Sequence, residues 1–251
     1  MKYAILDMDG TLFPGVLGAH YLRNLIDDGV CHRDAATACL AAIEQYGALT
    51  ARRDRVRVLH TAYEAYAAAM EGVAPTAVRS TAARTWAACR GRLYPFATDL
   101  IELLRGAEYR LHLISGSAHP LVQEVVVGLG LDAGWGAMVA VENGRHTRDL
   151  VYAPGYPGGK AVIMRRLVDD PEFDGAGSFA IGNSVGDAEV FEHVGSVIAF
   201  EPDAELRALA ASRSWSIADR DTVVQTCARL IGVQVTEPLR GSTSWIQPST
   251  T

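Results

Sequence analysis

One stretch near the start of the chain constrains the fold more than any other: a short apolar run that leads into two aspartates. Residues 2–6 carry the pattern of a buried strand, and Asp7 and Asp9 follow it directly. Charged groups are normally kept out of a protein core. Two carboxylates at the carboxyl end of a strand therefore belong in a cleft, and in an open α/β sheet that edge is where ligands bind.

The residues around the two acids narrow the chemistry further. Paired carboxylates either bind a cation or raise each other's pKa. Gly10 lets the backbone approach a ligand closely, and Thr11 supplies a hydroxyl donor. The pattern predicts a polar ligand site, although this stretch alone is also compatible with a strand that merely ends in an acidic turn.

A second strand ends in small polar residues. Ser115 and Gly116 follow a predicted strand at residues 109–114 and precede a helix that begins near Pro120. A hydroxyl, free backbone N–H groups and a helix N-terminus at one corner are suited to an anion. Because Ser-Gly turns are common, this signal is weak when taken alone.

Two further segments carry chemistry in the second half of the chain. Lys160 opens a helix after a loop rich in proline and glycine, where it can reach a phosphate or simply face solvent. A buried strand then ends in the polar turn 182–187, which contains Asn183 and Asp187. Glu189, just beyond, is interpreted as a charge in the first turn of a helix.

Between the first and second strands the chain changes texture. Apolar residues spaced three and four apart predict four helices and no strand over residues 15–91. A basic cluster marks the start of the third helix and comprises Arg52, Arg53, Arg55 and Arg57. The cluster is either a solvated face or a source of one guanidinium for an anionic group of a substrate.

Composition limits the classes of partner. A net charge of -6 argues against nucleic acid or an anionic membrane as the main partner. No apolar run is long enough for a membrane span, and the start of the chain lacks the regions of a signal peptide. Four scattered cysteines are interpreted as free thiols, so we expect a cytoplasmic protein. Residues 233–251 are polar and are expected to form a loosely held tail.

The four polar strand ends, taken in order, resemble the four motifs of the haloacid dehalogenase superfamily. The hairpin at 142–147 and the segment 201–210 are similar to its phosphoserine phosphatase-like branch. The resemblance covers about residues 2–219. It implies a Rossmann-like parallel α/β core at residues 1–14 and 92–232, and an inserted all-helical cap at residues 15–91.

The resemblance also implies roles at the site. Asp7 would be the nucleophile that forms an aspartyl-phosphate, and Asp9 would act as general acid and base. Phosphoryl oxygens would be held by four residues, Thr11, Ser115, Gly116 and Lys160, of which Lys160 also counts as catalytic. Mg²⁺ would be bound by Asp7, by Asp9 through its backbone carbonyl, and by Asn183 and Asp187.

The fourth motif departs from the family pattern. It usually begins Gly-Asp, whereas here Asn183 follows Gly182. An amide keeps an oxygen that can bind magnesium but removes a negative charge, so Asp187 is expected to carry more of the metal binding and magnesium affinity is expected to be weakened.

The expected function is magnesium-dependent hydrolysis of a small phosphorylated metabolite, with a second anionic group of the substrate placed near the arginine cluster as one option. A phosphotransferase or phosphomutase would use the same residues. A non-catalytic phosphate-binding protein is a third reading, favoured by Asn183 alone. Cleavage of a carbon–halogen bond has no need for Asp9 as an acid. The substrate's identity and the oligomeric state stay open.

Overall fold

A central β-sheet organises the chain in the computed structural model, which describes residues 1–49 and 52–234. Its seven strands lie in the order β4-β3-β2-β1-β5-β6-β7, and all neighbouring pairs are parallel except β3 and β4. The strands are β1 (Tyr3–Leu6), β2 (Arg110–Ala118), β3 (Ala133–Glu142), β4 (Arg145–Tyr152), β5 (Phe179–Gly182), β6 (Ser196–Phe200) and β7 (Ser216–Ala218).

Helices account for most of the remaining chain. Four of them lie between β1 and β2, namely α1 (Leu17–Asp27), α2 (Arg33–Ala48), α3 (Arg52–Met70) and α4 (Pro75–Cys89). The others are α5 (Phe96–Gly106), α6 (His119–Leu129), α7 (Gly159–Val168), α8 (Ala188–Phe191), α9 (Ala204–Arg213) and α10 (Val223–Leu230). This arrangement confirms the predicted α/β class with a parallel, Rossmann-like sheet.

Strand β1 occupies the centre of the sheet, with every one of its residues buried. Leu6 pairs with Leu113 of β2 on one side and with Ile181 of β5 on the other. The chain leaves β1 toward β2 and later returns to its opposite edge, which makes the end of β1 a topological switch point. The polar residues that follow β1, β2 and β5 are thereby brought to one edge of the sheet.

The helices between β1 and β2 pack through the apolar stripes seen in the sequence. In α1, Tyr21, Leu22 and Leu25 are almost completely buried. The Tyr21 hydroxyl donates to the carbonyl of Val78 in α4 at 3.0 Å, so even this polar group is satisfied within the helical layer. The described part of residues 15–91 contains no named strand.

Strand β2 differs from the sequence-based prediction at its end. We expected the strand to stop at Ile114, but it continues to Ala118 with an irregular register against β3 between these two residues. The Ser115 hydroxyl accepts a hydrogen bond from the Ser117 backbone N–H at 3.0 Å, which diverts the backbone from regular pairing. The irregularity aims Ser115 and Ser117 at the edge of the sheet.

Smaller predictions from the sequence concern the hairpin turn, the cysteines, the C-terminal tail and membrane spans. The Asn143-Gly144 hairpin turn is present, and both residues have the positive φ, 49° and 74°, that a type I′ turn requires. The four cysteines are free thiols. Residues 235–251, most of the predicted tail, lie outside the described residues. No helix of the described chain is long and apolar enough to span a membrane.

Candidate active site

A cavity of about 460 Å³ lies between the carboxyl edge of the sheet and helices α1, α2 and α3. The sheet contributes polar residues to its lining, including Asp7, Asp9, Lys160 and Asn183. The helices contribute mainly apolar side chains. The second motif contributes Gly116 and Ser117, so the structure brings residues from all four predicted motifs to one cavity.

Asp7 is held by contacts to both of its carboxylate oxygens. Its Oδ1 lies 2.8 Å from Nζ of Lys160, and its Oδ2 accepts a hydrogen bond from the Thr11 hydroxyl at 2.8 Å. Only 7% of the residue is exposed. Burial raises the pKa of Asp7 to about 7, while the ammonium of Lys160 opposes that rise. A second cation beside Asp7 would favour the ionised form further.

Lys160 connects three elements of the fold. Besides Asp7, its ammonium donates to Asp187 Oδ1 at 2.5 Å and to the carbonyl of Ile114 at 3.2 Å. Burial alone would lower the pKa of Lys160, but the carboxylates of Asp187 and Asp7 outweigh it and raise the pKa. The lysine is thus a fixed, fully hydrogen-bonded cation at the sheet edge rather than a solvent-exposed one.

Asp9 points to the other side of the same turn. Its Oδ2 accepts from the hydroxyls of Ser115 at 2.9 Å and Ser117 at 2.7 Å, and its Oδ1 accepts from the backbone N–H of Leu17 at 2.6 Å. Burial raises the pKa of Asp9, although the bonds from Ser117, Leu17 and Ser115 oppose the rise. A raised pKa suits a carboxyl group that must donate a proton.

Ser117 is a site residue that was not predicted from the sequence. The predicted strand ended at Ile114, so its two-residue alternation did not extend to Ser117; in the structure β2 continues to Ala118 and both serine hydroxyls donate to Asp9. The hydroxyls of Thr11 and Ser115 are engaged by Asp7 and Asp9, and both residues are fully buried. Their role as phosphate ligands stays a prediction.

Asp187 has no free carboxylate oxygen. In addition to the contact with Lys160, its Oδ2 accepts from the backbone N–H groups of Asn183 at 3.0 Å and Ser184 at 2.9 Å, and from the Ser184 hydroxyl. The role of Asp187 as a metal ligand, which the resemblance implied, stays a prediction. The geometry fits a residue that fixes Lys160 and closes the turn after β5.

Asn183 lies directly against the first motif. A Cβ atom added at Gly10 would lie 2.1 Å from Nδ2 of Asn183, and Gly10 has a φ of +83°. Both the close approach and the left-handed backbone require glycine at this position. The amide of Asn183 is consequently held beside the turn that carries Asp7 and Asp9.

The site offers only oxygen ligands to a metal ion. The candidates are the Asp7 carboxylate, the Asp9 backbone carbonyl and the Asn183 amide oxygen, and the described residues contain no cluster of three or more His, Cys, Asp or Glu arranged to hold a metal. Magnesium is commonly bound by one or two carboxylates while it keeps several waters and contacts substrate phosphates. The residues therefore fit a magnesium ion that is completed by water and a phosphate.

Glu189 accepts hydrogen bonds from the start of α7, the helix that carries Lys160. Its two carboxylate oxygens accept from the backbone N–H groups of Gly158 at 2.6 Å and Ala161 at 3.1 Å. Glu189 does lie in the first turn of α8, as interpreted from the sequence. It also satisfies free N–H groups at the start of α7, which positions the helix that carries Lys160.

The arginine cluster divides into different environments. Arg55 lines the cavity, where its guanidinium bonds to Asp203 at 3.0 Å and to the Tyr46 hydroxyl at 2.8 Å. Arg57 is exposed and pairs with Asp54. Arg53 is also exposed, and the side chain of Arg52 lies outside the described residues.

Comparison with known proteins identifies the class of fold first. Residues 4–192 match the family model of haloacid dehalogenase-like hydrolases. The match covers well over half of the chain, so this protein belongs to that family. It confirms the resemblance drawn from the four motifs.

Relatives with curated descriptions match part of the chain. A phosphoserine phosphatase of Mycobacterium tuberculosis is 28% identical over 142 residues, which are 57% of this chain and 46% of the relative. An inhibition of morphological differentiation protein of Streptomyces azureus is 30% identical over 144 residues, 57% of this chain and 52% of the relative. The chain thus spans about half the length of the curated relatives it matches.

Solved structures show the likeness of the fold over most of the chain. A Bordetella pertussis protein of unknown function has a TM-score of 0.69 at 20% identity and covers 87% of this chain and 98% of its own. A substrate-bound phosphoserine phosphatase has a TM-score of 0.59 at 18% identity and covers 83% and 90%. At these identities the likeness establishes the fold alone.

Proposed function

We propose that this protein is a magnesium-dependent phosphatase that hydrolyses a phosphomonoester through an aspartyl-phosphate on Asp7. One observation carries the proposal: Asp7 and Asp9 face one cavity, and each is oriented by contacts to both carboxylate oxygens. Two carboxylates in different environments can divide the roles of nucleophile and acid. The similarity to a phosphoserine phosphatase of Mycobacterium tuberculosis supports the same reaction class.

Asp7 would attack the phosphorus atom with one carboxylate oxygen. Lys160 and Thr11 fix the carboxylate before the substrate arrives, so little reorganisation is needed during the reaction. The bond between phosphorus and the leaving alkoxide breaks as the acyl-phosphate forms. Lys160 would then share its positive charge between Asp7 and a phosphoryl oxygen.

Asp9 would protonate the leaving alkoxide and later take a proton from the water that hydrolyses the intermediate. Its raised pKa favours the protonated form needed in the first half-reaction. Ser115 and Ser117 hold the carboxyl group in one orientation. The same group, once deprotonated, is correctly placed to act as base in the second half-reaction.

We assign magnesium to Asp7, to the Asp9 carbonyl and to Asn183. When bound there, the ion would offset the charge between the attacking carboxylate and the phosphate. Asp187 is proposed as a positioning residue for Lys160, because both of its oxygens are already engaged.

We further propose that residues 15–91 form a cap over the catalytic core, since α1, α2 and α3 supply the wall opposite the sheet edge.

The test measures phosphate release from a panel of phosphomonoesters, including p-nitrophenyl phosphate, with magnesium and with a chelator. Release that requires magnesium and is lost in Asp7→Asn supports the proposal. Phosphate that appears on an added alcohol rather than in water would identify a phosphotransferase. Absence of both, with the fold intact, would contradict catalysis at this site.

A further inference from the structure

The wall of the cavity that faces the catalytic residues is built from apolar side chains. Helices α1, α2 and α3 supply it, and its members include Leu22, Cys39, Ile43, Val56, Leu59 and Tyr66. Three of these, Ile43, Val56 and Leu59, are only half-buried although they lie on the cavity. Partly exposed aliphatic side chains on a concave surface are the usual lining of a site for an apolar ligand.

Three of the tyrosines that line the cavity have hydroxyls that are engaged within the protein. The Tyr63 hydroxyl donates to the carbonyl of Gly116 at 2.9 Å, and the Tyr21 hydroxyl donates to that of Val78. The Tyr46 hydroxyl accepts from Arg55. Three tyrosine hydroxyls near the cavity are thus already used, and their aromatic surfaces are left to contact a ligand.

The charged residues that line the cavity are also partnered. Asp7, Asp9 and Lys160 belong to the catalytic end, and Glu189 accepts two backbone N–H groups. Glu205 has a partner as well. Among the described side chains that line the helical end of the cavity, Arg55 is therefore the one charged group still to be considered.

Arg55 does not supply a free positive charge. Its guanidinium is paired with Asp203 and lies 4.4 Å from the ring centroid of Tyr46. An anion placed against Arg55 would also face the Asp203 carboxylate, which reduces the attraction. The Arg55 Nε–H is buried without a hydrogen-bond partner and is closed to the cavity, so it adds no accessible donor.

The size of the cavity is suited to a substrate larger than a two- or three-carbon phosphate. A volume of about 460 Å³ falls within the range of roughly 300–1,000 Å³ that is typical of sites for drug-sized ligands. Phosphate with a two- or three-carbon polar group would leave much of the apolar wall in contact with water. The ammonium and carboxylate of a phosphorylated amino acid would lose hydration against the aliphatic part of this wall.

We propose that the substrate is a monophosphate of a large apolar alcohol, with an alkyl, isoprenoid or aromatic body lying against α1, α2 and α3. The inference rests on the proposed phosphatase function for the position of the phosphate. It replaces the sequence-based option of a second anionic group near the arginine cluster. The helical wall thereby selects against phosphorylated amino acids and sugars.

Binding of alkylphosphonates tests the inference without requiring turnover. Methyl-, butyl-, hexyl- and octylphosphonate are titrated by calorimetry into the full chain with magnesium. We expect the dissociation constant to fall about twofold to fourfold per added methylene until the cavity is filled. Butylphosphonate should also bind more tightly than 2-amino-4-phosphonobutyrate, which has a similar length but carries an ammonium and a carboxylate. Equal affinities along the series, or tighter binding of the amino acid, would overturn the inference.

Two matched variants locate the effect. Ile43→Asn introduces an amide into the cavity wall, whereas Ala41→Asn introduces the same group on the exposed face of α2. The dependence on chain length should flatten in the first variant and persist in the second. If both variants behave like the unmodified chain, the tail does not lie against α2 and the assignment is wrong.

Hydrolysis of the matching alkyl phosphates separates the two proposals. Magnesium-dependent release without a preference for long chains would refute the apolar substrate while leaving the phosphatase intact. Length-dependent phosphonate binding without any release would refute the phosphatase while the apolar site stands.

Discussion

The two sides of the cavity differ in the polarity of their side chains and in how far those side chains are already in contact with partners. At the sheet edge, Asp7, Lys160 and Asp187 are buried charges, and each has at least two partners within hydrogen-bond distance. On the helical side, Ile43, Val56 and Leu59 have no polar atoms and remain partly exposed. The charged groups of the sheet edge already have hydrogen-bond partners before a ligand binds. The apolar side chains of the helices are stabilised further when an apolar group covers them and removes them from water.

This difference assigns separate tasks to the two surfaces. A buried charge costs several kcal/mol unless it is paired, so the positions of the charged residues are fixed tightly by the sheet. Apolar contacts are non-directional and tolerate changes of shape. The sheet edge is therefore suited to one reaction, and the helices are suited to selecting the alcohol that carries the phosphate.

The largest expected effect comes from Asp7→Asn. Loss of the nucleophilic carboxylate should lower kcat by about 10⁴-fold or more, because the amide cannot form the acyl-phosphate. The readout is phosphate release together with circular dichroism to confirm the fold.

Asp28→Asn is the control for that variant on the helical side. Asp28 accepts a hydrogen bond from the Thr81 hydroxyl at 2.7 Å, pairs with Arg84 and does not line the cavity. Its kcat should stay within about threefold of the unmodified value. Similar losses in both variants would mean that charge removal, not the nucleophile, explains the effect.

Lys160→Met should combine a catalytic and a structural loss. Asp7 and Asp187 would be left buried without their cation, which typically costs about 3–5 kcal/mol in the free energy of unfolding. Turnover should fall by about 10²-fold to 10³-fold. Urea denaturation and kcat are the two measurements.

The chain offers one matched control, since its other lysine is Lys2. Lys2 donates to the Ala107 carbonyl at 2.9 Å at the opposite end of β1. Lys2→Met should cost about 1 kcal/mol or less and leave kcat unchanged. A Lys160 variant as stable as the Lys2 variant would contradict the buried network.

Asn183→Asp tests the metal assignment. An added carboxylate beside Asp7 should lower the magnesium concentration for half-maximal activity by about tenfold, because ligand charge strengthens binding of hard cations. Asn143→Asp in the distant hairpin turn makes the same chemical change and should have no effect. An unchanged magnesium requirement in both would place Asn183 outside the metal contacts.

The smallest expected effect compares two tyrosines. Tyr63→Phe removes a bond from α3 to the Gly116 carbonyl at the sheet edge, and Tyr21→Phe removes a bond of similar length within the helical layer. Each should cost about 1 kcal/mol of stability. KM should rise severalfold only in Tyr63→Phe, since of these two bonds only that one joins a helix to the sheet edge. Equal KM values in the two variants would show that this bond does not contribute to substrate binding.

Sequence patterns were sufficient where local chemistry decides the structure. The apolar run before Asp7, the Asn143-Gly144 turn and the helical stripe containing Tyr21 each predicted the observed element. The order of the polar strand ends also predicted that they would meet, because carboxyl ends of neighbouring parallel strands share one edge.

Tertiary contacts decided what the sequence could not. The hydroxyls of Ser115 and Ser117 both donate to Asp9, which lies 106 and 108 residues away in the chain, and the proposed role of Asp187 depends on its contact with Lys160. Spacing within the arginine cluster could not select Arg55, because its partner Asp203 is 148 residues away in the chain. The apolar wall likewise required three helices to be assembled before its shape existed.

The most direct test of the account is to trap the phosphorylated chain. A single turnover with p-nitrophenyl phosphate and magnesium is quenched in acid, and the peptide that carries phosphate is identified by mass spectrometry. We predict phosphate on Asp7 and none in Asp7→Asn. Turnover with phosphate on another residue, or with Asp7→Asn still active, would contradict the assignment of the chemistry to the sheet edge.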